Sequence, residues 1–334
     1  MSTTALIGKN TIADIMNQYS SEDGSAMYIK AANVLALKCP LYRMLPMQAT
    51  NQLMSEIYSK VLSMGSPSLR RFNEYITPTA NHTAPGTEPT FGFVDWSEVD
   101  ADLCDIQNDP TQWRMDQDLV KMESMTQAAE DQLLNGNIST YPAGINGLFT
   151  RYNSSTRRPN GVSTTRYNVQ LAGGGGSDVT SIIAMELGPT KLYGIFPKNT
   201  KAGISIENKG KVTAESGTGR MDVYRTKLSF YGGLVVKDDR CVQMVRNIEV
   251  SGTSNTFDPD QLSSALRRLP GGGQDPNTII LCSPTIMDQM DSLARDKFNV
   301  TYTPDEVWGG QITRFMRVPV YMAEMISEAQ TAIS

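Results

Sequence analysis

The longest regular pattern in the 334-residue sequence is a helical one in its first half. Asp109, Pro110 and Gln112 supply the N-cap, the first helical residue and the side chain that reaches back to the cap, and Gly136 is a typical helix end. An apolar row at helical spacing connects them: Met115, Leu119, Met122, Ala129 and Leu133. The pattern predicts one helix over 110–134, about 38 Å long, with a single apolar side. Such a helix is typical of a domain in which it lies against a sheet.

The region before this helix is predicted to form an extended hairpin. Ser55–Met64 and Phe91–Ile106 hold β-branched and aromatic residues in partial alternation, and between them Gly65–Pro67 and Thr77–Pro89 supply Gly, Pro, Thr and Asn. A two-stranded hairpin cannot bury its own apolar face. We therefore expect it to lie on another subunit. Residues 1–45 form either a poorly ordered terminus or an arm that lies on a neighbouring molecule.

After the helix, 137–180 is predicted to be loop, 180–250 to be β, and the last third to alternate strand and helix, so the predicted fold class is α+β. Asp258-Pro259 and Ser283-Pro284 begin two shorter helices. Pro319 within the last strand favours an edge position. The predicted strands are Ser181–Leu187, Lys191–Phe196, Ala202–Glu207, Met221–Tyr231, Leu234–Val236, Asn277–Cys282 and Phe315–Met322.

The composition excludes several classes of protein. Thirty basic and 35 acidic residues give a net charge of −5, which argues against general nucleic-acid affinity. No apolar run reaches the roughly 18–20 residues of a membrane span, and no signal peptide is evident at the N-terminus. We expect no membrane association and a reducing cytosol. Four widely spaced cysteines without a CxxC pair are expected to be buried apolar residues.

An enzyme is difficult to build from these residues. The sequence has one histidine, His82, in a stretch predicted to be a loop, although histidine is the usual general base near neutral pH. The glycine runs 173–176 and 271–273 lack the residues of a phosphate-binding loop. No catalytic, cofactor-binding or metal-ligating residue is predicted.

The order of parts resembles the HK97-like major capsid proteins of tailed bacteriophages, and local blocks resemble the epsilon-fifteen type of short-tailed phages. An N-terminal arm, an extended hairpin, one long helix and a mixed domain follow each other. The blocks that carry the resemblance are Leu187-Gly188-Pro189, Tyr193–Lys198, Lys201-Ala202-Gly203, Tyr224-Arg225, Gly233–Arg240, Arg246-Asn247-Ile248, Gly310-Gln311-Ile312 and Val318-Pro319-Val320.

The resemblance implies a capsid subunit that assembles as pentamers and hexamers into an icosahedral shell around double-stranded DNA. The implied ranges are an N-terminal arm (1–45), an extended hairpin or E-loop (46–107), the spine helix with part of the peripheral domain (108–177), a β-rich region with the axial domain (178–275) and a closing strand–helix–strand (276–334). Implied partners are other copies of the chain, scaffolding and portal proteins, a decoration protein and, non-specifically, DNA. The implied location is the virion, with assembly in the cytoplasm of the host bacterium.

Two basic pairs are candidate inter-subunit or genome-facing residues: Arg70 with Arg71, and Arg157 with Arg158. Ordinary surface or interface salt bridges are the alternative for each pair. Lys60 lies in the hairpin, but no Asn partner or catalytic Glu is recognisable for a covalent cross-link, so none is expected. The alternatives for the whole chain are an encapsulin-like cellular compartment and an enzyme that uses His82.

Overall fold

The computed structural model describes residues 39–106, 110–159, 167–216, 219–296 and 314–334. The predicted arm lies almost wholly outside these residues, as do the N-cap Asp109 and the block Gly310-Gln311-Ile312. The described residues form two compact units. Unit 1 is drawn from 39–55, 89–151 and 193–234, and unit 2 from 56–88, 152–192 and 235–334.

Strands and helices occur in groups along the chain, with four strands before the long helix and a run of strands between Val169 and Glu249. The helices are α1 (Pro40–Met44), α2 (Ala101–Asp105), α3 (Pro110–Asn135), α4 (Leu148–Arg151), α5 (Pro259–Arg268) and α6 (Pro284–Asp296). The strands are β1 (Met47–Ala49), β2 (Ser55–Ser63), β3 (His82–Pro89), β4 (Phe91–Asp100), β5 (Val169–Leu171), β6 (Val179–Glu186), β7 (Leu192–Phe196), β8 (Gly203–Ser216), β9 (Gly219–Gly232), β10 (Leu234–Val236), β11 (Val242–Glu249), β12 (Thr278–Cys282), β13 (Arg314–Phe315) and β14 (Val318–Met322).

Unit 1 is built on an antiparallel sheet of order β4–β9–β8, which α3 contacts on β4 and β9. The predicted long helix is confirmed, with 26 residues from Pro110 to Asn135. Its buried residues include Met122, Ala129 and Leu133 from the predicted row. Residues near its start, such as Leu119, are only partly buried. The second half of the helix is therefore the more deeply buried one, while Lys121 in the first half contacts β4.

The core of unit 1 also contains the first described residues of the chain. Tyr42 of α1 is fully buried, and its ring meets that of Phe230 edge-on, with centroids 5.2 Å apart. β1 pairs in parallel with β7, Met47 opposite Gly194. The Met47 side chain packs directly over Gly194, since a Cβ there would lie 2.2 Å from the Met47 sulfur.

Unit 2 contains a six-stranded mixed sheet of order β13–β14–β12–β6–β11–β5. β6 is buried at every position, as expected for a strand covered on both faces. Helices α5 and α6 pack against one face through a core that includes Ile182, Val245 and Ile280. The Asp258 side chain accepts the Asp260 N–H at the start of α5, which confirms the predicted cap.

Two predictions about strand pairing are wrong. β4 does not pair with β2: all ten of its residues pair antiparallel with β9. The partner of β2 is β3, which was expected to be a loop because it contains Pro85 and Gly86. A two-stranded sheet has two free edges, so a proline whose missing N–H would point outward is tolerated. Similarly, Pro319 does not mark an edge strand, because β14 lies between β12 and the two-residue β13.

The four cysteines are all buried and free, as predicted. Burial raises the pKa of the Cys282 thiol to about 12, and it also raises the pKa of Cys241. These thiols remain protonated at neutral pH and behave as small apolar side chains. Among the described residues, no helix is both long and apolar enough to cross a bilayer.

Candidate assembly surface

The β2–β3 hairpin of unit 2 is the most exposed regular structure in its unit. Tyr58 is the only buried residue of β2, and no residue of β3 is buried. Its two strands approach closely at one point, where a Cβ on Gly86 would lie 2.7 Å from the Tyr58 ring. The hairpin is formed by β2 and β3 and not by the predicted strands, and the expectation that it lies on another subunit stays a prediction.

The base of the hairpin is fixed to the body of unit 2 by two side chains of β2. The Tyr58 hydroxyl donates to the carbonyl of Val236 at 3.2 Å. The Lys60 Nζ lies 2.9 Å from a carboxylate oxygen of Asp239, whose side chain is 2% exposed. A buried carboxylate is stable only when it is paired and hydrogen-bonded. The Lys60–Asp239 ion pair therefore holds β2 in place against the body of unit 2.

Further groups converge on Asp239. An Arg157 nitrogen lies 3.6 Å from its other carboxylate oxygen, and the Tyr152 hydroxyl donates to that oxygen at 3.5 Å. The Asn168 amide donates to the Asp239 carbonyl at 2.6 Å. The carboxylate is therefore the centre of a polar cluster at the hairpin base, which we call the base cluster: Lys60, Tyr152, Arg157, Asn168 and Asp239.

The neighbouring Asp238 forms a second charged pair. Burial by itself would raise the pKa of Asp238, but hydrogen bonds from the Arg240 side chain and N–H lower it below the ordinary value. The Arg240 guanidinium donates to both carboxylate oxygens of Asp238. Its two hydrogen bonds to Oδ2 are 3.1 Å and 2.7 Å long. These residues and Lys60 line a cavity of about 190 Å³, together with Thr190 and Lys237. Val61 and Met64 add apolar wall to this cavity, but four of its side chains besides Lys60 are charged and its volume is below that of a typical site for an organic ligand.

The far end of the hairpin differs from its base. Residues 64–81 contain no strand or helix. The side chains of Leu69, Phe72 and Tyr75 are 103%, 103% and 102% exposed, so they make no contact with their own chain. Single exposed apolar residues are ordinary, but three large ones on one loop mark an interaction surface.

The structure places the two predicted basic pairs in different settings. Arg70 and Arg71 lie among these exposed apolar residues, and neither has a salt bridge within the described parts of the chain. Arg157 belongs to the base cluster, and its guanidinium also lies over the Tyr152 ring. Arg158 lies over the Tyr167 ring and donates to its hydroxyl. The four arginines are not brought together as one patch, and their inter-subunit or genome-facing role stays a prediction.

His82 is the exposed first residue of β3. Among the residues with described positions, no group of three His, Cys, Asp or Glu side chains is placed to hold a metal ion. Sequence reasoning missed Tyr58 and Asp239. The charged run Lys237–Arg240 between two apolar strands was the only available signal for Asp239, because its partner Lys60 is far away in the sequence.

Comparisons with known proteins agree with the resemblance. A family model for major capsid protein GP7 matches residues 22–334. The capsid of bacteriophage Epsilon15 is similar in structure, with a TM-score of 0.62 and 21% identity over 86% of this chain and 87% of that one. The procapsid of bacteriophage JBD30 gives a TM-score of 0.50 and 13% identity over 92% and 99%.

A weaker similarity is found to the SrpI encapsulin of Synechococcus elongatus PCC 7942, with a TM-score of 0.39 and 14% identity over 65% of this chain and 90% of that one. A search of curated protein sequences found no significant match. The family model spans most of the chain, and the structural likeness to the phage capsids establishes the fold. The chain therefore belongs to the GP7 family of major capsid proteins, and it is a phage major capsid protein with the HK97-like fold.

Proposed function

We propose that the chain assembles as pentamers and hexamers into a closed icosahedral shell around double-stranded DNA, and that the hairpin makes one of the contacts between subunits. The observation that carries this proposal is the hairpin itself. Its base is held by a buried ion pair, whereas three large apolar side chains at its far end contact nothing in their own chain. Many such modest contacts sum to a stable closed assembly through multivalency.

The ranges implied by the resemblance remain part of the proposal. Residues 1–45 serve as an arm on a neighbouring subunit, and 46–107 contain the hairpin. The range 108–177 contains the spine helix, 178–275 the axial domain, and 276–334 the closing elements. The two compact units interleave along the sequence, and each takes elements from several of these ranges.

The proposed partners are further copies of the chain, with scaffolding, portal and decoration proteins, and non-specific contact with the packaged DNA. Assembly takes place in the cytoplasm of the host bacterium, and the mature location is the virion. No catalytic role is proposed. We expect no covalent cross-link through Lys60, since its ammonium is paired with Asp239 and a protonated amine is not a nucleophile.

Electron microscopy of the chain expressed with the products of its neighbouring genes tests the function. After size-exclusion chromatography, we expect closed isometric particles tens of nanometres wide that contain DNA when the packaging proteins are present. Particles that carry a host protein and never DNA would favour the encapsulin-like alternative. A discrete monomer or dimer under all conditions would contradict the shell, and a covalent ladder on a denaturing gel would contradict the absence of cross-links.

A further inference from the structure

The far end of the hairpin has the composition of a docking element. We define the hairpin tip as Leu69, Arg70, Arg71, Phe72 and Tyr75, all of them exposed. Aromatic residues and arginine dominate the centres of protein interfaces, because they combine large contact area with directional hydrogen bonds. The tip carries a local excess of positive charge. The one carboxylate nearby, on Glu74, accepts the Arg71 backbone N–H at 3.1 Å.

A surface of matching character lies on unit 1. Helix α2 buries Ala101 and Cys104 and turns the remaining residues outward. We define the acidic face of α2 as its exposed residues Asp102, Leu103 and Asp105 with the adjoining Ile106. Leu103 and Ile106 are 49% and 78% exposed. This face therefore combines apolar side chains with carboxylates, and the hairpin tip combines apolar side chains with guanidinium groups.

Within the described residues, the charged side chains of the hairpin tip and of the acidic face have no salt bridge. In the described parts of the chain, neither Asp102 nor Asp105 is in a salt bridge, whereas the nearby Asp95 and Glu98 are paired with Lys121 and Arg225. The Asp105 carboxylate accepts only the Tyr224 hydroxyl, at 3.5 Å.

The guanidinium of Arg114, which also contacts Tyr224, has other partners. Arg114 lies over the Tyr224 ring, 4.3 Å from its centroid, and donates to Asn208. Two carboxylates on one surface and two guanidinium groups on the other, none of them in a salt bridge within the described residues, are therefore complementary in number and in sign.

We propose that the hairpin tip of one subunit docks on the acidic face of α2 in a second copy of the chain. Arg70 and Arg71 pair with Asp102 and Asp105, and the apolar side chains of the tip cover Leu103 and Ile106. Arginine is suited to this contact because its planar fork pairs with a carboxylate through two hydrogen bonds. The inference rests on the proposed shell function and specifies the occupant of the hairpin's contact surface.

Charge exchange tests this pairing in the full chain, expressed with its neighbouring gene products. The variants are Arg70→Glu/Arg71→Glu, Asp102→Lys/Asp105→Lys and the combination of all four substitutions. We expect each double variant to lower the yield of closed particles about tenfold or more, because like charges then face each other. The fourfold variant restores opposite charges and should recover most of the wild-type yield.

A matched control keeps the net charge but changes the location. Arg70→Glu/Arg71→Glu is combined with Asp288→Lys/Glu324→Lys, two exposed acidic residues of unit 2, and this variant should not recover. Normal particle yield in Arg70→Glu/Arg71→Glu would overturn the docking, and normal yield with less packaged DNA would assign the arginines to the genome. Loss without recovery in the fourfold variant would also overturn it. Absence of particles from the wild type would be a failure of the proposed function instead.

Cross-linking gives a second test that does not depend on charge. Phe72→Cys/Ile106→Cys places two new thiols at exposed positions, while the native cysteines are buried. Mild oxidation of assembled particles should give a covalent ladder on a non-reducing gel. Phe72→Cys/Met316→Cys, which uses another exposed site, should give none. A ladder in the control alone, or in neither variant, would overturn the docking.

Discussion

The two ends of the β2–β3 hairpin differ in what holds them. The base is connected to the body of unit 2 through the buried Asp239 carboxylate and the Tyr58 hydroxyl. The tip has no comparable contact, and its three largest side chains are fully exposed. Because the base of the hairpin is fixed, its exposed tip presents a contact surface in one defined direction. Within this one hairpin, the residues of the base stabilise the fold, and the different residues of the tip are available to bind a partner.

The largest expected effect comes from removing the apolar part of the tip. Leu69→Ser/Phe72→Ser/Tyr75→Ser should abolish closed particles, because each buried side chain contributes about 2 kcal/mol at a contact. The free energy of unfolding of the isolated subunit should change by less than about 0.5 kcal/mol, since the folded subunit makes no use of these side chains. Electron microscopy and chemical denaturation measure the two effects. Tyr141→Ser removes another exposed aromatic residue and should retain assembly. Equal yields for both variants would show that the tip contributes no more to assembly than this exposed residue elsewhere in the chain.

The next effect is at the base. Asp239→Asn keeps the shape of the side chain but leaves Lys60 without its carboxylate, and we expect a loss of about 3 kcal/mol in the free energy of unfolding. Chemical denaturation of the subunit measures the loss. Glu215→Gln breaks the exposed Arg220–Glu215 pair and should cost less than about 0.5 kcal/mol. Similar values for the two variants would show that the base cluster does not fix the hairpin.

A smaller loss of stability is expected when the hydroxyl group is removed from Tyr58, and none when it is removed from Tyr75. Tyr58→Phe removes the hydroxyl that donates to the Val236 carbonyl, which should cost about 1 kcal/mol. It should also increase hydrogen exchange in β2. Tyr75→Phe is the matched change at the tip and should leave both quantities at the wild-type level. Faster exchange in both variants would indicate that the whole hairpin is held as one piece.

The smallest expected effect is the pH dependence of the Asp238–Arg240 pair. The folded pKa of Asp238 is lower than its ordinary value of 3.8. Its stabilising contribution is therefore present above pH 3.8 and is lost as the pH falls through the folded pKa. We expect the Tm difference between wild type and Asp238→Asn to be constant near neutral pH and to shrink in acid. Thermal unfolding from about pH 6 to pH 2 measures it, and a difference that stays constant would exclude this pair as a source of pH dependence.

Local signals predicted much of the fold. The helix over 110–134 and the cap at Asp258 depend on residues a few positions apart, and both are present as predicted. The strand predicted at Leu234–Val236 has the same bounds in the structure. The resemblance to a capsid family supplied the order of parts, which composition and spacing alone did not establish.

Partners that are distant in sequence could not be predicted. β11 was not named as a strand because Gln243, Arg246 and Asn247 interrupt its apolar residues. The folded chain satisfies two of them at long range: Arg246 donates to the Tyr152 carbonyl, and Asn247 exchanges two hydrogen bonds with the backbone of Ile333. The base cluster could not be predicted for the same reason, because no residue near Lys60 in the sequence indicates its partner Asp239.

The pairing of β4 with β9 has a consequence for synthesis. Each residue of β4 meets a partner that lies more than 120 residues later in the chain. The first half of the protein therefore leaves the ribosome with an exposed strand edge and cannot complete its sheet until β9 has been translated. Long-range pairing of this kind slows folding and lengthens the time during which aggregation competes. The sequence distance between these two strands therefore sets how long the edge of β4 stays unpaired during synthesis.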